Sequence, residues 1–195
     1  TVLVRDDKGG VQELRAILDC GSQSHFITRK ACKKLGLACE PFRYVVKGIG
    51  ASPLNVSACA TLNFFSKIDP THKYVAHTLV VDRLTERVPS ASFSIVDLPH
   101  IQNLVLADEK FFEPHGVDLL IGAELWPLIV GTEKRTGPPG TPVALETTLG
   151  YVVMGGVPIG TLDVQRHCFF AQPSLESLVE RFWSIEDVPR CNIMS

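Results

Sequence analysis

One aspartate stands at the end of an apolar run near the start of the chain, in the segment Ala-Ile-Leu-Asp-Cys-Gly-Ser at residues 16–22. The run is typical of a buried strand, and Gly21 favours a tight turn directly after it. We therefore expect the Asp19 carboxylate to be delivered to an exposed loop, where it is suited to general acid-base chemistry. Taken alone, the pattern more often marks an ordinary turn at the end of a strand.

Two further segments carry glycines beside apolar residues. The first lies between two strand-like runs and predicts a mobile hairpin tip: Val46, Lys47, Gly48, Ile49 and Gly50. The second ends a near-continuous apolar run, which predicts a buried strand: Leu120, Ile121 and Gly122. Considered without the other segments, Gly48 and Gly50 predict only a plain hairpin turn. A phosphate-binding loop is disfavoured there because a third glycine and a following helix are missing.

Together the three segments resemble the retroviral-type aspartic proteases, which have a catalytic Asp-x-Gly, a Gly-Ile-Gly flap and an apolar-apolar-Gly segment beneath the catalytic loop. The resemblance implies that Asp19 is catalytic and that Cys20, Gly21 and Ser22 support its loop. It implies that residues 46–50 close over an extended peptide. It also implies that Leu120, Ile121 and Gly122 pack under the loop.

The closer resemblance is to the protease region of BEL/Pao-type retrotransposon polyproteins. Residues 18–28, Leu-Asp-Cys-Gly-Ser-Gln-Ser-His-Phe-Ile-Thr, look like that group's Leu-Asp-Ser-Gly-Ser-Gln-x-x-Phe-Ile-Thr. Residues 117–124, Val-Asp-Leu-Leu-Ile-Gly-Ala-Glu, look like its Ile-Asp-Leu-Leu-Ile-Gly-Ala-Asp. Shorter matches occur at residues 106–108, 148–155 and 180–186, so the resemblance spans nearly the whole chain.

The resemblance implies a homodimer, because the chain has one Asp-x-Gly directly after an apolar run and this chemistry needs two facing carboxylates. Two Asp19 side chains would share one proton and activate a water between them, with no cofactor and no metal. The implied substrate is a peptide segment of the chain's own polyprotein. The implied location is intracellular, in the cytoplasm within a virus-like particle.

Cys20 departs from the family pattern, which has Ser or Thr at this position. The resemblance implies that the usual hydroxyl braces both loops across the dimer, and a thiol is a weaker hydrogen-bond donor. We therefore expect a looser dimer or reduced activity. The alternative function is a catalytically weak or inactive module of the same fold that dimerises or binds peptides. Asp118 is expected to be structural rather than catalytic.

The apolar patterns predict a mainly β domain of the retropepsin-like fold, with one lobe per chain, a flap hairpin and one or two short helices. Thr28 as N-cap and Gly36 at the C-terminus predict a short helix between them. A second short helix is expected after Pro99, and an amphipathic helix is predicted over residues 174–182. Strands are predicted at residues 2–5, 11–18, 42–46, 54–64, 74–81, 93–96, 117–121 and 148–154, and residues 131–142 are predicted to form a loop.

The predicted domain covers residues 1–155 with an insertion at about 82–116, and residues 156–195 are interpreted as a connector toward a following reverse transcriptase domain. The formal net charge of −2 among 195 residues supplies no basic surface, so no nucleic-acid partner is expected. No run reaches the ~20 apolar residues of a membrane helix, so no membrane partner is expected. The 6 cysteines form no Cys-x-x-Cys pair and are expected to be mostly reduced thiols in the core.

Overall fold

A computed structural model describes residues 1–46, 54–96 and 98–156. Within them 43% of the residues are in strands and 7% in helices, which confirms the predicted mainly β class. The elements are β1 (Val2–Arg5), β2 (Val11–Leu14), β3 (Ala16–Leu18), β4 (His25–Thr28), α1 (Arg29–Leu35), β5 (Glu40–Val46), β6 (Leu54–Phe65), β7 (Lys73–Val81), β8 (Leu119–Ile121), α2 (Trp126–Ile129), β9 (Val130–Arg135), β10 (Val143–Thr147) and β11 (Val152–Met154).

An eight-stranded sheet carries most of the fold. Its strand order is β2-β1-β6-β7-β4-β8-β3, and β5 pairs with β6 outside this path. The long strand β6 alternates buried and exposed side chains along its length, as expected for a strand with one face on the core. The main core includes Val2, Leu14, Ile27, Leu62 and Ile121. This core lies beneath the strands that lead to Asp19.

The helix α1 begins and ends where the sequence predicts. The Thr28 hydroxyl oxygen accepts a hydrogen bond from the Ala31 amide at 3.2 Å. Gly36 adopts φ 63°, a left-handed conformation that glycine tolerates without a Cβ clash. Both local capping signals are therefore confirmed.

The sequence predicts one strand over residues 11–18, but the structure has two. Strand β2 pairs with β1, whereas β3 pairs in parallel with β8, so the chain changes partners at Arg15. The Arg15 carbonyl accepts hydrogen bonds from the amides of Asp118 and Leu119, at 3.0 and 3.3 Å. The sequence does not reveal such a change, because it depends on which strands lie beside the segment in the folded chain.

The prediction for the insertion is wrong in detail. Residues 93–96 form no strand; Phe93 instead packs edge-on against Phe111, with ring centroids 5.7 Å apart. The helix expected after Pro99 is replaced by turns, in which Ile101 and Leu104 donate to carbonyls three residues earlier. Apolar side chains of this region pack as a separate cluster against the second sheet.

That second sheet has the order β11-β10-β9. It contradicts the loop predicted over residues 131–142 for residues 131–135, because β9 pairs with β10 through Arg135 and Lys134, opposite Ala144 and Leu145. Residues 136–142 form no helix or strand, as predicted. The last predicted strand begins later than residue 148, and it pairs with β10 of the same chain. The sequence patterns also do not predict β4, β10 or α2. The helix predicted at residues 174–182 and all of the connector beyond residue 156 lie outside the described residues.

Candidate active site

Asp19 directly follows β3, on a loop whose next two residues are exposed. Its amide donates to the Ile121 carbonyl at 2.9 Å, which continues the pairing of β3 with β8 by one residue. The side chain is half-buried, and its Oδ1 accepts a hydrogen bond from the Gly21 amide at 2.9 Å. The carboxylate is thus oriented by its own loop at the edge of the core, where another molecule can reach it.

Gly21 lies close to the Asp19 carboxylate and has no unusual backbone conformation. The φ angle of Gly21 is not positive, so its dihedral angles alone would permit another residue. A Cβ on Gly21 would lie 3.3 Å from Asp19 Oδ1, which is a tight contact with the oxygen that the Gly21 amide binds. The turn expected after β3 is present at residues 20 and 21.

The segment of Leu120, Ile121 and Gly122 lies where the sequence predicts, directly against the Asp19 loop. Leu120 and Ile121 are buried in β8, opposite Ile17 and Leu18 of β3. A Cβ on Gly122 would lie 2.6 Å from the carbonyl oxygens of both Ser22 and Ser24. Only a glycine allows this approach of two backbones. We call Gly122 and Ala123 the loop floor.

The loop floor is joined to the loop by main-chain hydrogen bonds. The Ala123 amide donates to the Ser22 carbonyl at 2.7 Å, and the Ser22 amide donates to the Asp19 carbonyl at 3.3 Å. The Ser22 hydroxyl donates to the Ser24 carbonyl at 2.8 Å. Ser22 therefore helps to close the loop, as its predicted supporting role requires.

His25 is a residue that the sequence does not assign to this site. It is 2% exposed, and its Nδ1 accepts a hydrogen bond from the Gly122 amide at 2.9 Å. Its Nε2 lies 3.4 Å from Glu124 Oε2. Burial lowers the pKa of His25, and Glu124 partly opposes this shift. The local signal is weak, because His25 is one of two polar residues in a strand whose four residues are all buried, and its partner stands 97 positions later.

The predicted flap is described only at its base. Strands β5 and β6 pair in antiparallel fashion, with Val46 opposite Leu54, and this pairing forms the base of a hairpin. Lys47, Gly48, Ile49 and Gly50 lie outside the described residues. Val46 and Leu54 pack on an apolar cluster that also holds Ile17 of β3. The hairpin base and the strand leading to Asp19 therefore share one cluster.

Asp118 makes structural contacts, as expected. Its Oδ1 accepts from the Thr28 hydroxyl and its carbonyl from the Thr28 amide, both at 2.9 Å. The chain's other Asp-x-Gly, beginning at Asp7, lies in the turn between β1 and β2, where the Asp7 amide donates to the Leu35 carbonyl at 3.0 Å. Of the two Asp-x-Gly aspartates, it is Asp19 that lies on the exposed loop after β3.

The role of Arg15 is likewise not predicted by the sequence. Its guanidinium donates to Asp108 Oδ2 and to the Val88 carbonyl, each at 2.6 Å, and to the carbonyls of Glu113 and Lys110. The Arg15 and Asp108 side chains are 14% and 23% exposed. One side chain beside β3 thus anchors the insertion at four points.

The cysteines are less buried than expected. Cys20 and Cys39 are exposed, Cys59 is half-buried, and only Cys32 is buried among these four described cysteines. Burial, assisted by neighbouring Cys39, raises the pKa of the Cys32 thiol to about 12. Within the described residues, no group of three or more His, Cys, Asp or Glu side chains is arranged to hold a metal ion.

The sequence matches no protein-family model. It also matches no curated protein closely enough to show a relationship. In the described part of the chain, no helix combines the length and apolar composition needed to cross a membrane.

Proposed function

We propose that this chain is the retropepsin-like aspartic protease domain of a BEL/Pao-type retrotransposon polyprotein. One observation carries the proposal: the carboxylate of Asp19 is held by the Gly21 amide on an exposed loop, at the end of buried strands and above a glycine floor. An aspartate in an ordinary surface turn needs no such floor. The sequence resemblance supplies the family, and the loop geometry supports the catalytic role of Asp19.

The chemistry needs a second carboxylate, and the Asp19 loop of one chain supplies a single one. Two copies related by a two-fold axis would place one Asp19 opposite the other, with one proton between them. The ionised carboxylate takes a proton from a water molecule, whose oxygen attacks the peptide carbonyl carbon. The protonated carboxyl gives its proton to the carbonyl oxygen.

The resulting tetrahedral intermediate collapses when the carbon–nitrogen bond breaks. The carboxylate that accepted the water proton passes it to the leaving amine, and the other carboxylate recovers its proton from the intermediate's hydroxyl, so the pair ends with the single proton with which it began. No covalent enzyme intermediate forms. The hairpin of β5 and β6 would close over the peptide and pair with its backbone as an added strand.

The experiment compares three versions of the chain on peptides that span the junctions of its own polyprotein. The unmodified chain should cleave them, and Asp19→Asn should reduce cleavage below detection, since it removes both ionisable groups of the dimer. Asp82→Asn is the matched control, because Asp82 is 84% exposed and its contact with Arg29 contributes little. Cleavage should be undiminished there.

Sedimentation of the same samples separates the proposal from its alternative. A dimer that cleaves identifies the protease, whereas a dimer or peptide-bound chain without cleavage identifies a catalytically inactive module. Equal cleavage by the unmodified chain and Asp19→Asn would exclude the mechanism.

The exposed Cys20 offers a further check on the proposed dimer. Cys20→Ser restores the hydroxyl that the related proteases carry and should tighten the dimer and raise cleavage, because a hydroxyl donates a stronger hydrogen bond than a thiol. Cys39→Ser, at another exposed cysteine, should change neither property.

A further inference from the structure

His25 is a buried titratable side chain whose two ring nitrogens face different partners. It lies in β4 between β7 and β8, and both neighbouring strands pair with β4. Because Nδ1 accepts the Gly122 amide at 2.9 Å, the proton of the neutral ring must be on Nε2. That nitrogen points toward Glu124, with 3.4 Å between Nε2 and Oε2. The contacts therefore select one tautomer and one charge state.

Gly122, the partner of this histidine, is the residue on which the Asp19 loop rests. Its Cα faces the carbonyls of Ser22 and Ser24 too closely for any side chain. The carbonyl of the preceding residue, Ile121, accepts the Asp19 amide at 2.9 Å. A shift of Gly122 would therefore displace Ser22 and Ser24 of the loop and would also change the hydrogen bond between the Asp19 amide and the Ile121 carbonyl.

We infer that His25 is the positioning residue of the Asp19 loop, and that it holds the loop floor through Gly122 only while its imidazole is neutral. A protonated ring would turn an N–H toward the Gly122 N–H, so that two donors would face each other without an acceptor. The Gly122 amide would then lose a buried partner. The consequence for catalysis rests on the proposed function, whereas the consequence for the loop does not.

The groups around His25 set the direction of its titration. Burial is the largest influence and lowers the pKa of His25 below its ordinary value of 6.5. Glu124, which directly follows the loop floor, opposes this shift and raises the pKa, whereas His77 on β7 lowers it further. Because the unfolded chain takes up the proton first, the stability due to neutral His25 is complete above pH 6.5. It decreases as the pH falls from there to the lowered pKa of the folded state.

The test follows His25 and the loop by nuclear magnetic resonance on the isotope-labelled intact chain, while the pH is lowered from neutrality. At neutral pH the ring should carry its proton on Nε2, and the Gly122 amide should be protected. As the ring titrates, the amide signals of Gly122 and of residues 19–22 should shift with the same midpoint. Exchange of the Gly122 amide, corrected for its intrinsic pH dependence, should rise roughly tenfold.

His25→Asn supplies the variant, because its side-chain carbonyl can accept the Gly122 amide but does not titrate. In this variant the Gly122 amide should stay protected across the same range. His72→Asn is the matched control, since His72 is exposed and pairs with Asp69 far from the loop in sequence. It should leave the wild-type pH response unchanged. The measurements on the unmodified chain decide the matter even if His25→Asn does not fold.

Several outcomes would overturn the inference. They are an Nδ1-protonated ring at neutral pH, titration of the ring without any response at Gly122, and unfolding before His25 takes up a proton. If the chain cleaves peptides, its rate should fall with His25 protonation, and His25→Asn should lose this decrease. If the chain cleaves nothing, the proposed function fails, while the resonance measurements still decide the role of His25.

Discussion

The Asp19 loop with its floor and the insertion at residues 82–116 are both irregular in backbone, but they are held in different ways. The loop is joined to β8 by amides that donate to carbonyls, at Asp19 and Ala123. The insertion is joined to the strand region through the Arg15 side chain, which reaches four oxygen atoms, and through main-chain hydrogen bonds that Tyr151 makes with Val105 and Ala107. In the first region the bonds to the strands are mainly between backbones, with one buried side chain, His25, on the Gly122 amide. In the second region one side chain, Arg15, supplies four of the bonds.

The two regions should therefore differ in how far a destabilising substitution spreads. A change in the loop floor disturbs strands that belong to the main core, so the damage should spread to the whole domain. A change at Arg15 loosens a segment most of whose apolar side chains form their own cluster with β10 and β11, while Leu84 and Ala107 pack in the other two clusters. The damage there should stay local, because separate units of a fold open with separate free energies.

The largest effect is expected from Gly122→Ala. The added methyl group would meet two carbonyl oxygens at 2.6 Å, and backbone atoms cannot rotate away. We expect the free energy of unfolding to fall by about 2–3 kcal/mol, measured by urea denaturation. Gly116→Ala is the control, because a Cβ added there would have nothing within 4 Å and the φ of Gly116 is not positive. Equal stability of the two variants would show that the loop does not rest on Gly122.

A smaller and more local effect is expected from Arg15→Met, which keeps an unbranched chain but removes all donors. The half-buried Asp108 and three carbonyls lose the donor that Arg15 supplies, so the insertion should lose about 2 kcal/mol of local stability. Hydrogen exchange should accelerate at residues 88–113 and stay unchanged in β3 and β8. Arg29→Met, whose ion pair with Asp82 is exposed, should change neither region. Uniform acceleration would remove the distinction between the regions.

The same distinction explains which parts of the structure can be predicted from the sequence. Helix α1 is predictable, since Thr28 and Gly36 act within a few residues of the helix that they cap. Strand β6 is predictable because alternation is a property of the strand itself. The loop of Asp19 and the floor at Gly122 are expected from the resemblance, and the structure places them in contact.

The remainder depends on partners that no local pattern specifies. Arg15 and Asp108 are 93 positions apart, and His25 and Gly122 are 97 positions apart. Strand β9 resembles a loop in sequence because its glycine and charged residues are poor strand formers, and pairing with β10 overrides this preference. Polar contacts between residues distant in sequence, and strand pairings that override local preference, can be identified only in the folded chain.

Thr28→Val tests a side-chain contact inside the strand-paired region, where we expect the free energy of unfolding to fall by about 1 kcal/mol. The variant keeps the side-chain volume but removes the cap of α1 and the hydrogen bond to Asp118. Since β4 remains paired with β7 and β8, the loss should be modest and shared by the whole domain. Thermal unfolding should show it, and Thr71→Val at an exposed turn should leave the midpoint unchanged. A loss confined to α1 would contradict the shared core.

The smallest effect is expected at Cys32 when Arg15 is changed. The Cys32 thiol is 1% exposed in the main core and its pKa is raised to about 12, so an alkylating reagent should reach it only when that core opens. Labelling followed by peptide mass spectrometry should therefore show the same slow rate for Cys32 in the unmodified chain and in Arg15→Met. In Gly122→Ala the rate should rise roughly 30-fold or more, in proportion to the unfolded population.

Exposed Cys20 and Cys39 should react at once in all three chains and control for the reagent. Faster labelling of Cys32 in Arg15→Met would mean that the insertion and the core open together, and the two regions would then be one cooperative unit.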